Sequence, residues 1–243
     1  MTWPAGGGRT YRANVAIAIP AIYRSTVGKK AVMAVSGGVL VLFLAGHMVG
    51  NLKIFFGAES FDHYAHWLRT VGEPAVPYRT VLTVTEIVLV VAILLHMWSA
   101  VSLARRASQA RPVKYQAKKK SHAQGYATRT MRYGGVIIAL FVIWHLLDMT
   151  FLLVNPAGRD ATPYERVVEG FDPSRWYVTL FYVVAVLLAG LHLRHGIWSA
   201  FQSLGLRTPR NERALRGLAG ATGALITVGF LAVPVAVTFG WVS

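Results

Sequence analysis

The chain has 243 residues, of which 54% are hydrophobic and only 14% are charged, whereas soluble domains carry roughly 25% charged residues. The net charge of +15 could suggest nucleic-acid binding. However, the Lys and Arg residues lie between long apolar runs, so we predict the lipid bilayer and no nucleic acid as the partner. The absence of cysteine excludes disulfides, thiolate-bound iron–sulfur clusters and Cys-attached haem within this chain.

The first thirty residues contain five basic groups and no acidic group. They lack the apolar core and small-residue cleavage site of a removable signal peptide, so we predict a cytoplasmic N-terminal segment, residues 1–30. Five later stretches are apolar enough and long enough to cross about 30 Å of hydrocarbon. The predicted fold is all-α, one integral membrane bundle over residues 1–243, with spans at roughly 31–56, 80–104, 134–154, 176–201 and 218–239.

The charges of the connections predict the orientation of the bundle. Residues 105–133 hold nine basic groups and no acid, and residues 202–216 hold four basic groups against one acid. The alternate connections are more acidic, with two basic against three acidic groups in 57–79 and three against four in 155–175. Since cytoplasmic loops are enriched in Lys and Arg, the N-terminus is predicted to be cytoplasmic and the C-terminus outside.

Four histidines lie well inside four different predicted spans, and histidine in hydrocarbon is costly and usually functional. His47 and His145 each lie about 25 Å from the cytoplasmic end of an outward-running helix, and His96 and His192 lie a similar distance from the outer end of an inward-running helix. The depths therefore predict two pairs at two levels, His47 with His145 and His96 with His192. His195 follows on the fourth span as an alternative to His192.

Two opposed histidines at one level suit a haem iron. Bis-histidine ligation fills both axial positions, which suits a centre that passes single electrons. Zinc is the rival metal, but a structural zinc site needs its ligands at one level within about 2 Å of the ion. The four histidines occupy two levels, so two stacked b-type haems are predicted.

The fourth span carries the pattern His-x-x-x-Gly-x-Trp-Ser, which runs from His192 to Ser199. Together with the other three histidines, it resembles the diheme cytochrome b membrane anchor of bacterial succinate:menaquinone oxidoreductases and fumarate reductases. The family's ligand stands four residues before the glycine, here Gly196, so the resemblance assigns the inner haem to His96 and His192. It assigns the outer haem to His47 and His145.

The resemblance implies a larger machine in the bacterial plasma membrane. A flavoprotein carrying FAD would oxidise succinate in another subunit, and an iron–sulfur subunit would bind the cytoplasmic face, where the basic 105–133 connection could dock it. This chain would pass electrons through two haems to menaquinone or another quinone, as a subunit without the succinate site. The complex could also form a higher oligomer.

The quinone is predicted to bind near the outer haem, because its reduction consumes protons that polar groups could carry. The candidates are Glu59, Asp62, His63 and His66, in the first outer loop, and Asp148, three positions after His145. The alternative is that the loop residues are merely solvated and that Asp148 pairs with Arg159 near the outer interface.

The sequence is also compatible with other functions. The same anchor could serve fumarate reduction, or the chain could be another diheme anchor, such as that of a formate dehydrogenase or hydrogenase, which differs in helix count and histidine placement. A transporter would favour broken helices and acidic residues at the membrane centre, where only Glu86 and Asp148 are candidates.

Overall fold

A computed structural model describes residues 25–110 and 122–243, with side chains described from residue 131 onward in the second range. These ranges contain seven α-helices and no strand. The helices are α1 (Thr26–Leu52), α2 (Ala58–Thr70), α3 (Thr80–Gln109), α4 (His122–His145), α5 (Pro163–Gly170), α6 (Trp176–Ser203) and α7 (Glu212–Thr238). Five of them, α1, α3, α4, α6 and α7, are long and apolar enough to span a membrane, which confirms the predicted all-α fold with five spans.

Most of the spanning helices are longer than predicted. α3 continues to Gln109 rather than 104, α4 begins at His122 rather than 134, and α7 begins at Glu212 rather than 218. Residues with charged side chains can belong to these helix ends while the charged groups reach the headgroup region. The length of the apolar stretch therefore underestimates the length of the helix. Residues 1–24 and 111–121, which include most of the predicted N-terminal segment 1–30 and eleven residues of the docking connection 105–133, lie outside the described residues.

Two predicted connections contain helices of their own. The sequence predicts a loop over residues 57–79, but α2 occupies most of them. This helix starts after Gly57, which has a φ of 89°, and buries Phe61. The connection between α4 and α6 contains α5, which begins with a capping box formed by Thr162 and Glu165 around Pro163. The Tyr164 amide donates to Asp62 Oδ1 at 2.9 Å, so the two short helices are joined at one end of the bundle.

Small residues allow the spanning helices to approach closely, as is common in membranes. A Cβ atom at Gly190 on α6 would collide with the Thr227 hydroxyl on α7, and one at Gly223 would lie 3.0 Å from the Gly190 carbonyl oxygen. At the other side of α7, a Cβ at Gly229 would collide with the Met48 side chain on α1. α6 and α7 therefore form the tight centre against which α1 packs.

The two ends of the bundle differ in character. At one end, the Arg106 guanidinium at the end of α3 donates to the Thr26 hydroxyl at the start of α1. At the opposite end, the Tyr164 hydroxyl donates to the Ser243 carbonyl at 3.2 Å. Several exposed aromatic side chains belong to the segments at this second end, namely Trp67, Tyr78, Trp176, Tyr177 and Trp241. Such a girdle is typical of a membrane interface.

Candidate functional site: two histidine pairs

The first histidine pair joins α1 to the last residue of α4. The ring centroids of His47 and His145 lie 5.9 Å apart, with the ring planes at 77°. Phe43 stacks on His47 at 5.2 Å, and Phe230 from α7 lies 5.6 Å from it. The pair is thus enclosed by aromatic rings from two helices.

The second pair joins α3 to α6. The ring centroids of His96 and His192 lie 6.3 Å apart, with the planes at 62°. His96 Nδ1 lies 3.1 Å from the Met33 carbonyl oxygen, so Nδ1–H donates this bond and Nε2 remains free. A Cβ at Gly37 would lie 3.1 Å from His96 Cε1, which shows how closely the ring approaches the α1 backbone.

The two pairs lie at different levels of the bundle. On α1, the residues that contact His96 are Met33 and Gly37, which precede His47 by fourteen and ten residues. At the helical rise per residue, this separation is about 15 to 21 Å along the axis. On α6, the His145 contact Tyr182 precedes His192 by ten residues, about 15 Å. The estimates from α1 and α6 therefore agree that the two pairs are at least about 15 Å apart along the bundle.

Each pair has the spacing that a bis-histidine metal would need. Imidazole nitrogens about 2 Å from a central ion place the ring centroids roughly 6 Å apart, and the observed separations are 5.9 and 6.3 Å. In the described part of the chain, no group of three or more His, Asp or Glu could hold a metal ion by itself. Haem needs only two axial ligands from the protein, so the residues present fit haem better than a protein-only metal site.

His192, and not His195, has its ring beside His96. His195 lies one helical turn further along α6 and is half-buried. His192 Nδ1 is buried and has no hydrogen-bond partner among the described residues. A Cβ at Gly135 on α4 would lie 3.7 Å from His192 Cε1, so a glycine also borders this ring.

Asp148 is fully buried. The expected partner was Arg159, but the structure pairs Asp148 Oδ1 with Arg175 Nη2 at 3.7 Å, and Tyr182 donates its hydroxyl to Asp148 Oδ2 at 3.0 Å. The prediction of an ion pair was confirmed, but the choice of Arg159 was wrong, because the carboxylate pairs with Arg175, which directly precedes α6. Tyr182 and Arg175 carried no signal in the sequence, since aromatic and basic residues at a span boundary are ordinary.

The predicted quinone residues do not form one group. Glu59, His63 and His66 are exposed on α2, whereas Asp62 is half-buried and accepts the Tyr164 amide. Within the described residues, no hydrogen bond or ion pair joins Asp148 to any of these four. Asp148 instead belongs with the ring of His145, through Tyr182.

Comparison with known proteins identifies the family of the chain. The model of the family described as succinate dehydrogenase/fumarate reductase transmembrane subunit matches residues 107–233. The chain is 27% identical over 173 residues to the succinate dehydrogenase cytochrome b558 subunit of Bacillus subtilis (strain 168), over 71% of this chain and 77% of that protein. No solved structure matches significantly. The family match covers half of the chain, including His145 and His192, and the chain therefore belongs to the succinate dehydrogenase/fumarate reductase transmembrane subunit family, as a multi-pass cytochrome b subunit.

Proposed function

We propose that this chain is the diheme membrane anchor of a succinate dehydrogenase, which passes electrons from an iron–sulfur subunit to menaquinone. The observation that carries the proposal is the presence of two histidine pairs at two levels, with ring separations of 5.9 and 6.3 Å. His47 and His145 would hold the outer haem b, and His96 and His192 the inner one. When bound, the two haems supply one-electron transfer between the two halves of the membrane.

The chain's own residues prepare the histidines for ligation. The Met33 carbonyl holds the Nδ1–H tautomer of His96, which leaves the Nε2 lone pair for a metal. His47 with His145 and His96 with His192 would each hold one haem, which would supply one-electron transfer. The rings of Phe43 and Phe230 lie against His47.

The basic end of the bundle is proposed to face the cytoplasm and to bind the iron–sulfur subunit, which in turn carries the FAD flavoprotein. Arg106 joins the start of α1 at this end, and Arg207 and Arg216 lie over the ring of Trp198 near the α6–α7 connection. An excess of Arg and Lys here supports both the orientation and an electrostatic docking surface. Succinate chemistry would then take place in the partner subunits.

The quinone is proposed to bind near the outer pair, with α2 forming part of its site. Glu59, Asp62, His63 and His66 occupy positions i, i+3, i+4 and i+7 of α2, so they share one face of this helix. Acidic and imidazole groups on this face could deliver protons to a reduced quinone. Asp148 stays a candidate for carrying protons to this site, and its described partners are Tyr182 and Arg175.

The direction of catalysis is proposed from the relative. The B. subtilis protein is a succinate dehydrogenase subunit, which favours succinate oxidation. The family description also includes fumarate reductase, which remains the alternative. A formate dehydrogenase or hydrogenase anchor finds no support in the comparisons.

The proposal is tested by counting haems in the purified complex. Reduced-minus-oxidised spectra with pyridine haemochrome quantitation should give two b haems per chain. His47→Ala and His145→Ala should each remove the same haem, and His96→Ala and His192→Ala should each remove the other one. The finding of no haem in the wild-type complex, or of a single haem that survives all four substitutions, would reject the proposal.

A further inference from the structure

A chain of polar contacts leads from His145 into a buried ion pair. His145 Nδ1 lies 3.3 Å from the Tyr182 hydroxyl oxygen, and this hydroxyl donates to Asp148 Oδ2 at 3.0 Å. Asp148 is fully buried, and its other oxygen lies 3.7 Å from Arg175. Arg175 is itself held by the carbonyls of Gly170 and Val154, at 2.9 and 3.2 Å.

The contacts settle which atom carries each proton. A phenol has one proton, and an ionised carboxylate can only accept, so Tyr182 donates its proton to Asp148. The Tyr182 oxygen can then only accept from His145, which must carry its proton on Nδ1. The Nε2 lone pair of His145 is therefore left free on the side of the ring available to a metal.

The local fold holds this chain of contacts in place. Tyr182 lies between Phe171 at 4.8 Å and Phe141 at 5.0 Å, both nearly perpendicular to its ring. The α-helix ends at His145 and continues as a π-helical turn, Leu146–Thr150, that contains Asp148. Such turns occur mostly as single insertions at functional sites.

The inner pair has no equivalent. His96 donates to the neutral Met33 carbonyl, and His192 Nδ1 has no partner among the described residues. In the described part of the chain, no hydrogen bond from the inner pair leads to a carboxylate. When a ligand histidine donates its N–H to an acceptor that is itself hydrogen-bonded to a carboxylate, the imidazole becomes more basic. A more basic ligand favours the oxidised metal.

We propose that Tyr182 and Asp148 are positioning residues that orient His145 and lower the reduction potential of the outer haem relative to the inner one. This inference rests on the proposed function, since it concerns the proposed ligand His145. The two residues act through His145, because the Tyr182 hydroxyl lies between its ring and Asp148. Arg175 keeps the buried Asp148 charge compensated.

The test is a redox titration of the purified complex, followed optically. Tyr182→Phe keeps the ring between Phe141 and Phe171 and removes only the hydroxyl, and Asp148→Asn removes the charge with little change of shape. Both variants should raise the potential of one haem, by at least a threefold change in its reduced-to-oxidised ratio, about 28 mV for one electron. The titration step that His192→Ala removes identifies the inner haem, which should not shift.

Tyr177→Phe is the matched control, because Tyr177 is exposed near the start of the same helix. Its potentials should equal those of the wild type. The inference would be overturned by unchanged potentials in both test variants or by equal shifts of both haems. Loss of the outer haem from both variants would also overturn it, because this would show a structural role. Absence of haem from the wild-type complex would instead reject the proposed function, so the two failures are distinct.

Discussion

The carbonyl oxygen of Met33 accepts a hydrogen bond from Nδ1 of His96 at 3.1 Å, so α1 orients a ring that belongs to α3. The same helix contributes His47 to the other pair. α1 therefore serves both pairs, once with a side chain and once with its backbone. Close approach at the second point depends on Gly37, where a Cβ would lie 3.1 Å from His96 Cε1 and 3.3 Å from Nδ1.

Gly37→Leu is expected to displace His96 and release the inner haem. Overpacking costs about 1–3 kcal/mol, which is roughly a 5- to 150-fold loss in haem retention. Gly38→Leu is the matched control, because a Cβ at Gly38 meets nothing within 4 Å. Haem quantitation after purification checks both, and equal haem content in the two variants would contradict the role of Gly37.

His192→Ala should remove the inner haem and leave the outer one spectroscopically present, whereas His195→Ala should keep both. The reason is that the His192 ring lies beside His96, while His195 lies a turn further along α6. Difference spectra of the two purified variants provide the measurement. Loss of a haem from His195→Ala alone would show that the other histidine is the ligand.

Much of this arrangement follows from simple counting. Helices that rise uniformly and alternate in direction carry His47 and His145 to one depth and His96 and His192 to another, and these are the rings that lie side by side in the structure. Hydropathy located the five spans because lipid demands long apolar helices.

The short helices and the partners of Asp148 depend on tertiary contacts, which the hydrophobic periodicity of the sequence does not predict. α2 and α5 are short and amphipathic, so they resemble polar loops when only hydropathy is read. The choice of Arg175 over Arg159 as the partner of Asp148 depends on how the chain returns to α6. Tyr182 is one aromatic residue among many in an apolar span, and its role appears only when α4 and α6 are packed together.

The packing of α6 against α7 should be sensitive to side-chain size at Gly190. Gly190→Leu would drive a side chain into Thr227 on α7, so we expect a loss of about 1–3 kcal/mol in stability. Gly196→Leu, on the same helix with open space around its Cβ, should be tolerated. Thermal unfolding of the purified complex, monitored by retention of the haem spectrum, compares the two. Equal midpoints would contradict the tight helix contact.

The orientation of the bundle can be mapped with reporter fusions. We expect an alkaline phosphatase fused within residues 111–121 to be inactive, because the proposed orientation places the basic connections in the cytoplasm. The same enzyme fused after Ser243 should be active, since the C-terminus lies at the opposite end of the bundle from Thr26. The reverse pattern would overturn the orientation and, with it, the terms inner and outer for the two pairs.

The final prediction concerns the quinone. Glu59→Gln, His63→Ala and His66→Ala change exposed groups on one face of α2 and should lower quinone reduction by the complex, by roughly a hundredfold where a single proton donor is lost. Asp62→Asn keeps an oxygen for the Tyr164 amide, so a defect there would reflect chemistry rather than folding. Succinate oxidation with an artificial dye acceptor, assayed in parallel, should be unchanged, because it bypasses the anchor. Glu73→Gln, exposed beyond the end of α2, is the control and should leave both activities intact. If all four α2 variants reduced quinone at the wild-type rate, these residues would be solvated surface groups and the quinone site would have to lie elsewhere.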